Sequence, residues 1–328
     1  MILDYKVLTP RPDPDIKKFE RTLSRFYSKG YLKTSVPKSI GQGRYTSLEL
    51  LEDFQVTFQF FRLNVPLHVT KTPSDGQKDN ISIIFYDLDI PEAAYMAGNK
   101  YIYEQAGINM YTGDNLTDLS LQIPANTERK VVSIHIRRTR LESMLGECHR
   151  EFLSELLQNR KSFFIHEQLS KEMRALIREL SHPPAAKALV RFFYHTRSLQ
   201  LIYCLLEQLN KRTLAPARSI NALNISKIFQ VRALLTKDLS TPPAIPDLAK
   251  TVLMSESYLK QLFREVFGES IYQFFQNNRL AKARELLLEN KKTVREIGFE
   301  LGFSNIGHFS RLFERTYHIK PKKFQMKA

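Results

Sequence analysis

The chain has 328 residues, with 49 Lys and Arg against 34 Asp and Glu, a formal net charge of +15 at pH 7. That length allows two domains, each with its own core, and the basic balance fits a polyanionic partner such as nucleic acid or acidic lipid. No apolar run approaches the ~18 residues that would span a bilayer, and the opening MILDYKVLTPRPDPD has no targeting pattern, so a soluble, cytoplasmic protein without a membrane partner is expected.

From residue 44 to 137 the hydrophobic period is two. FQVTFQF from Phe54, NISIIFY from Asn80, YIY from Tyr101, GINMY from Gly107, LSLQI from Leu119 and VVSIHI from Val131 are separated by Pro, Gly, Asn and Asp clusters. This reads as an antiparallel β-barrel or sandwich. The inward residues Phe54, Phe58, Phe60, Ile83 and Phe85 either line an apolar, aromatic ligand pocket or fill a closed core, and both readings stay open. His68 and His135 stand alone, and no C-x-x-C or paired His occurs at ligand spacing. Neither a metal nor any other cofactor is expected.

Between 141 and 211 the period becomes helical, in segments near 141–157, 166–180 and 185–211. The last carries an apolar stripe of Leu199, Ile202, Tyr203, Leu206 and Leu209, which is either a dimer seam or internal core. Cys148 and Cys204 fall in these helical stretches and are expected to be buried thiols rather than a disulfide. The polar stretch NKRTLAPARSINA at 210–222 reads as a linker between an N-terminal domain, 1–209, and a C-terminal domain, 223–328.

Basic residues are denser beyond the linker: residues 222–328 hold 18 basic against 10 acidic side chains, a net of +8. Two copies of one device follow. In the first, Ile245, Leu248, Ala249 and Val252 form one inward helical stripe, and Tyr258, Leu259, Leu262, Phe263 and Val266 form the next. Pro246 suits a helix start, Ser255 an N-cap and Gly268 a helix end. In the second, Val294, Ile297, Leu301 and Phe303 precede Phe309, Leu312 and Phe313, with Thr293 and Glu296 as a capping box. An amphipathic stretch, 271–288, lies between them; at 1.5 Å per residue it spans roughly 27 Å. With its turns, that could place two recognition helices about one duplex turn, near 34 Å, apart.

The stripes leave Ser257, Lys260, Gln261 and Arg264 exposed on the second helix of the first copy, and Asn305, Ile306, His308, Arg311 and Arg315 on that of the second. Such side chains read base edges and neutralise phosphate. Lys291 and Lys292 lie between the motifs, where a phosphate backbone is nearer than a base.

SESYLKQLFREVFGES at 255–270, RLAKARELL at 279–287, IGFELGFSNIGHFSRLF at 297–313 and KPKKF at 320–324 resemble the DNA-binding domain of the AraC/XylS family of bacterial transcription regulators. The resemblance implies base-reading positions at Ser257, Lys260 and Gln261 in the first motif and at Asn305, Ile306, Gly307 and Arg311 in the second. The sequence departs from the family pattern at Gly307, which offers no side chain to a base, and at His318, where a glycine is usual. By arrangement only, the β-rich region with its helices is similar to the family's cupin-like sensor and dimerisation module. The resemblance further implies a homodimeric activator, RNA polymerase as a partner and a small-molecule effector.

The expected fold is α+β: the β-barrel or sandwich with following helices, then an all-α domain whose two helix-turn-helix motifs are joined by a linker helix. The expected function is sequence-specific binding of double-stranded DNA. The alternative is a DNA-repair enzyme of the alkyl-transfer type, which can carry the same helical domain. It would need a reactive cysteine in an electropositive setting and usually a Cys-rich zinc site, and the sequence displays neither. A third reading is a sensor that reaches DNA only through a partner protein.

Overall fold

The computed structural model describes residues 2–8, 14–24, 31–72, 79–89, 92–96, 99–103, 106–112, 120–146, 151–158, 161–184, 186–212 and 219–326. The chain divides into two compact units, one of Met1–Ser226 with Glu265–Gly268, the other of Lys227–Arg264 with Glu269–Ala328.

Alternating side chains build two antiparallel sheets in the first unit. A five-stranded sheet runs β1 (Ile2–Val7), β5 (Leu67–Thr72), β10 (Ser120–Ile123), β7 (Glu92–Met96), β8 (Asn99–Tyr103). A seven-stranded sheet runs β12 (Phe164–Glu167), β9 (Ala106–Thr112), β6 (Asn80–Leu88), β11 (Thr127–Arg137), β4 (Phe54–Leu63), β3 (Gly41–Leu51), β2 (Tyr31–Ser35). Helices α1 (Pro14–Ser24), α2 (Arg138–Leu145), α3 (Glu151–Gln158), α4 (Lys171–Leu180) and α5 (Val190–Leu209) complete it. Ile16, Phe19 and Leu23 carry the amphipathic spacing that buries α1, an element the sequence analysis passed over together with β1, β2 and β5.

The seven-stranded sheet has two chemically different faces. Phe54, Val56, Phe58 and Phe60 of β4 point into a core shared with Ile83, Phe85, Val132 and Ile134 and roofed by α4 and α5. The ring of Phe58 stacks on that of Tyr194 from α5 at 4.4 Å between centroids. On the opposite face Tyr45, Phe61 and Leu63 join Leu67, Val69 and Ile123 of the five-stranded sheet. His135, on that face of β11, is buried with Nδ1 2.9 Å from the hydroxyl of Ser82.

Three helical expectations change. The segment near 141–157 is interrupted: α2 ends at Gly146, whose φ of 65° is left-handed, and α3 begins at Glu151. Cys148 lies outside the described residues. Residues 164–167 are not helical but pair with β9, Phe164 opposite Tyr111, and α4 starts only after Ser170, whose Oγ accepts the Met173 N–H at 3.2 Å. The stripe of α5 is mostly internal. Ile202, Leu206 and Leu209 are buried in the helix-roofed core and Leu199 packs against it, whereas Tyr203 is 62% exposed. In the 210–222 segment, Ile220 is buried and donates its N–H to the Ser162 carbonyl at 3.1 Å. Ile220 is therefore pinned to the first unit rather than free in solvent.

The helices beyond this point are α6 (Ala222–Lys237), α7 (Ile245–Thr251), α8 (Glu256–Phe267), α9 (Ile271–Glu289), α10 (Val294–Glu300), α11 (Ile306–Tyr317) and α12 (Pro321–Gln325). Their ends are written locally. Ser255 Oγ accepts the Tyr258 N–H at 3.3 Å, Ser270 with Gln273 and Thr293 with Glu296 form capping boxes, and Gly268, Asn290 and His318 take the left-handed conformation that ends α8, α9 and α11. The second motif and α9 share a core of Leu280, Ala283, Leu287, Ile297, Leu301, Phe303, Phe309 and Phe313.

One buried cation ties the two motifs together. The Arg279 guanidinium of α9 lies 4.9 Å from the ring centroid of Phe275 and 4.5 Å from that of Phe303. Its Nε and Nη2 donate to the carbonyls of Leu239 and Ser240 at 2.9 and 3.0 Å, in the loop that precedes the first motif. Beside it, Gly302 turns the second motif with φ 73°, and a Cβ there would fall 1.7 Å from the Ser240 carbonyl oxygen. Only glycine fits.

Arg279→Met should leave two partly buried carbonyls without donors and cost about 2–6 kcal/mol, at roughly 1–3 per orphaned group. His318→Gly should gain about 1 kcal/mol by relieving a side chain held in the left-handed region. Chemical denaturation of both variants checks this; an unchanged Arg279→Met would remove the cation from any organising role.

Candidate nucleic-acid interface

Helices α8 and α11 are each 12 residues long, and each is bounded by a polar N-cap and a left-handed C-cap. Matching Ser255 to Asn305 and Gly268 to His318 brings Ser257 opposite Gly307, Gln261 opposite Arg311 and Arg264 opposite Glu314. His318 thus occupies the backbone role of Gly268 and adopts its conformation, with φ 57° against 77°. The departure costs strain but leaves the geometry intact.

Of the expected contact residues, Ser257, Lys260, Gln261, Arg264, Asn305, Gly307, His308, Arg311 and Arg315 are exposed, on two helices whose opposite faces are packed. Lys260 pairs with Glu256 at 3.4 Å. An exposed pair of this kind is worth at most about 1 kcal/mol, so its ammonium can be given up to DNA at small cost.

The start of α11 is rearranged relative to expectation. Asn305 Oδ1 caps the helix by accepting the His308 N–H at 3.0 Å, which commits its carbonyl to the backbone. Ile306 is partly buried: its Cδ1 lies 2.7 Å from where a Cβ on Gly298 would stand, so the side chain turns inward onto α10. A Cβ at Gly307 would press within 3.1 Å of the capping Asn305 Oδ1. Glycine makes room for the cap there, and of the expected contact residues His308, Arg311 and Arg315 keep an exposed side chain on the helix itself.

A second basic feature was only half visible in the sequence. Lys291, Lys292, Arg295 and Lys322 line a groove of about 600 Å³ with Thr293 and Gln325. Gln325 Nε2 donates to the Lys292 carbonyl at 2.7 Å, and this bond brings Lys322 from the chain end beside the lysine pair. Two of the cations are partly neutralised, Lys291 by Glu289 at 3.5 Å and Lys292 by Glu300 at 2.6 Å. The backbone N–H and then the hydroxyl of Thr293 hold the Glu296 carboxyl below its ordinary range, which keeps the capping box ionised.

The five expected pocket residues, Phe54, Phe58, Phe60, Ile83 and Phe85, do come together, inside the core that the helices roof. Cys204 is buried among them, and burial, reinforced by Glu172, pushes its thiol up to about 11. No helix among the described residues is long and apolar enough to cross a membrane.

Comparison with known proteins agrees with this arrangement. Residues 248–327 match the family described as "Helix-turn-helix domain", and residues 42–222, more than half of the chain, match the "Regulatory protein PchR N-terminal domain". Among curated relatives, the HTH-type transcriptional regulator ArgR of Pseudomonas aeruginosa is 25% identical over 114 residues, 35% of each chain. The uncharacterized HTH-type transcriptional regulator YfiF of Bacillus subtilis is 32% identical over 98 residues, 30% of this chain and 31% of that one. These matches therefore span about a third of the relatives' length. A solved transcriptional regulator of Chromobacterium violaceum, described as containing an AraC-type DNA-binding domain, is 28% identical and covers 33% of this chain and 96% of its own, with a TM-score of 0.31. With two helix-turn-helix motifs and a PchR-type N-terminal domain, the chain belongs to the AraC/XylS family of transcription regulators.

Proposed function

We propose that this protein is a cytoplasmic, sequence-specific regulator that reads two successive major grooves of duplex DNA. The observation that carries the reading is the pair of equal, capped helices α8 and α11, whose exposed faces hold Lys260, Gln261 and Arg264 on one and His308, Arg311 and Arg315 on the other. Between them α9, with 19 residues at 1.5 Å each, gives a spacer of about 28 Å. Gln261 and Arg311 occupy matching places and serve as the central base readers. The groove of Lys291, Lys292, Arg295 and Lys322 supplies phosphate contacts.

Arg311→Ala should then cost ~1–3 kcal/mol on the cognate site and relax preference at one position. Lys291→Ala should weaken all sequences alike and lower the salt slope by about one unit. Titrations on cognate and random duplexes at several salt concentrations separate the two. Equal loss on both duplexes for Arg311→Ala would make that arginine a phosphate contact.

The same reading makes the protein a homodimeric activator that engages RNA polymerase and answers a small-molecule effector. The sign of regulation rests on family resemblance. For the dimer, support comes from Phe192 and Tyr203, 68% and 62% exposed, three turns apart on one side of α5. Phe192→Glu with Tyr203→Glu should give a folded monomer by sedimentation, whereas Leu206→Glu, at a core position 9% exposed, should unfold the unit. A persistent dimer in the double variant would move the interface elsewhere. The relatives are transcription regulators, and the thiol of Cys204, held protonated at neutral pH, lacks the activation that an alkyl-transfer nucleophile needs.

A further inference from the structure

The end of α8, Glu265–Gly268, counts with the first unit, whereas the rest of that helix, up to Arg264, counts with the second. What gathers these four residues is Arg212, which lies three residues past the end of α5 and inside the stretch that reads as linker. Its Nε pairs with Glu167 Oε1 at 2.7 Å, and its Nη2 donates to the His166 carbonyl at 2.9 Å, both residues of β12. The same guanidinium reaches α8. Nη1 donates to the Glu265 carbonyl at 2.8 Å and Nη2 to the Val266 carbonyl at 3.1 Å, while the Phe267 ring meets the His166 ring edge-on at 5.5 Å between centroids.

The last carbonyls of a helix have no partner within it, and a cation there is favoured by the helix dipole. An arginine fork can serve several of them at once, as a lysine ammonium cannot. Burial separates this contact from an ordinary surface pair. The side chains of Arg212 and Glu167 are 6% and 13% exposed, against 52% and 47% for Lys260 and Glu256 on the same helix. Breaking a shielded pair strands a charge, whereas the exposed pair exchanges for water. Gly268 is cut to the same shape: a Cβ there would stand 2.9 Å from Arg212 Nε. At the matched end of α11, His318 carries a side chain in the same left-handed conformation, so backbone conformation alone does not demand glycine at 268. The guanidinium does.

We propose that Arg212 is a positioning residue for base reading: by tying the last turn of α8 to β12, it sets the direction in which Lys260, Gln261 and Arg264 are presented. The clamp bonds to backbone carbonyls and leaves the side chains of those three residues exposed, as positioning rather than blocking requires. The proposal rests on the reading of α8 as a recognition helix.

Base-by-base substitution of an operator selected by the full chain tests it, with Gln261→Ala and Arg311→Ala marking the positions that α8 and α11 read. Arg212→Met should relax preference at the α8 positions and lower cognate affinity about tenfold, the scale of one lost base contact, while the α11 positions keep their preference. Gly268→Asn retains the left-handed helix end but crowds the guanidinium, and should give the same profile with Arg212 and Glu167 intact. It carries the test should Arg212→Met fail to fold. Hydrogen exchange of the full chain reads the clamp itself: amides in the last turn of α8 should exchange at least tenfold faster in both variants, and those of α11 at the wild-type rate. A wild-type base profile in both variants would reduce Arg212 to a helix cap and overturn the proposal. Tighter binding would make the clamp a restraint, and equal loss at the α8 and α11 positions would mean general destabilisation; either result overturns it too. If Gln261→Ala relaxes no position, the reading of α8 falls and the positioning role with it, even where hydrogen exchange still reports the clamp.

Discussion

The geometry of the C-terminal unit depends on Arg279. A guanidinium held between Phe275 and Phe303 and bonded to two loop carbonyls joins the linker helix, the loop before the first motif and the turn of the second. Burial pulls its pKa below the ordinary arginine value, but the group stays charged, because its planar donors match both carbonyls and its faces meet aromatic rings. Gly302 is the other half of the constraint, since the Ser240 carbonyl occupies the space of any side chain. Two recognition helices at the ends of a flexible spacer would each bind weakly and independently. Fixed to one helix, they form a single rigid pattern, and under the proposed function its spacing would itself contribute to specificity.

The N-terminal unit divides its labour across one sheet. Period-two alternation sends Phe54, Val56, Phe58 and Phe60 to the helices and Gln55, Thr57 and Gln59 to the other side. The first set gives the unit its stability. The second is buried as well, and Gln55 Nε2 donates to the Ser47 hydroxyl at 2.9 Å. The strict alternation of β4 was plain in the sequence, yet the aromatic half drew attention as a pocket. Hydrophobicity alone cannot say which of two buried faces is covered by helices and which by a second sheet.

The helix-turn-helix region was the most legible part of the chain because its signals are local. Ser255, the Thr293 and Glu296 box and Gly268 act within four residues of the helix ends they define, and each is found in the role its chemistry dictates. What failed depended on distance. Whether Ile306 faced DNA or Gly298, and whether the stripe of α5 was seam or core, was decided by partners on other elements. Likewise 166–167 reads as the start of a helix until β9 is present to pair with it. Lys322 joins the Lys291 and Lys292 groove only through the bond from Gln325, which no spacing rule encodes.

The central claim is that the two motifs read DNA as one rigid body, and an operator-spacing series tests it most directly. Insertion of about 5 base pairs between the two recognised segments rotates one by half a turn, and about 10 restores the face but stretches the distance by ~34 Å. The account predicts that both insertions reduce affinity to that of a single segment, on the order of a hundredfold, given base contacts worth ~1–3 kcal/mol each. Undiminished binding across the series would contradict it, and would mean that the motifs move independently or that only one of them reads bases.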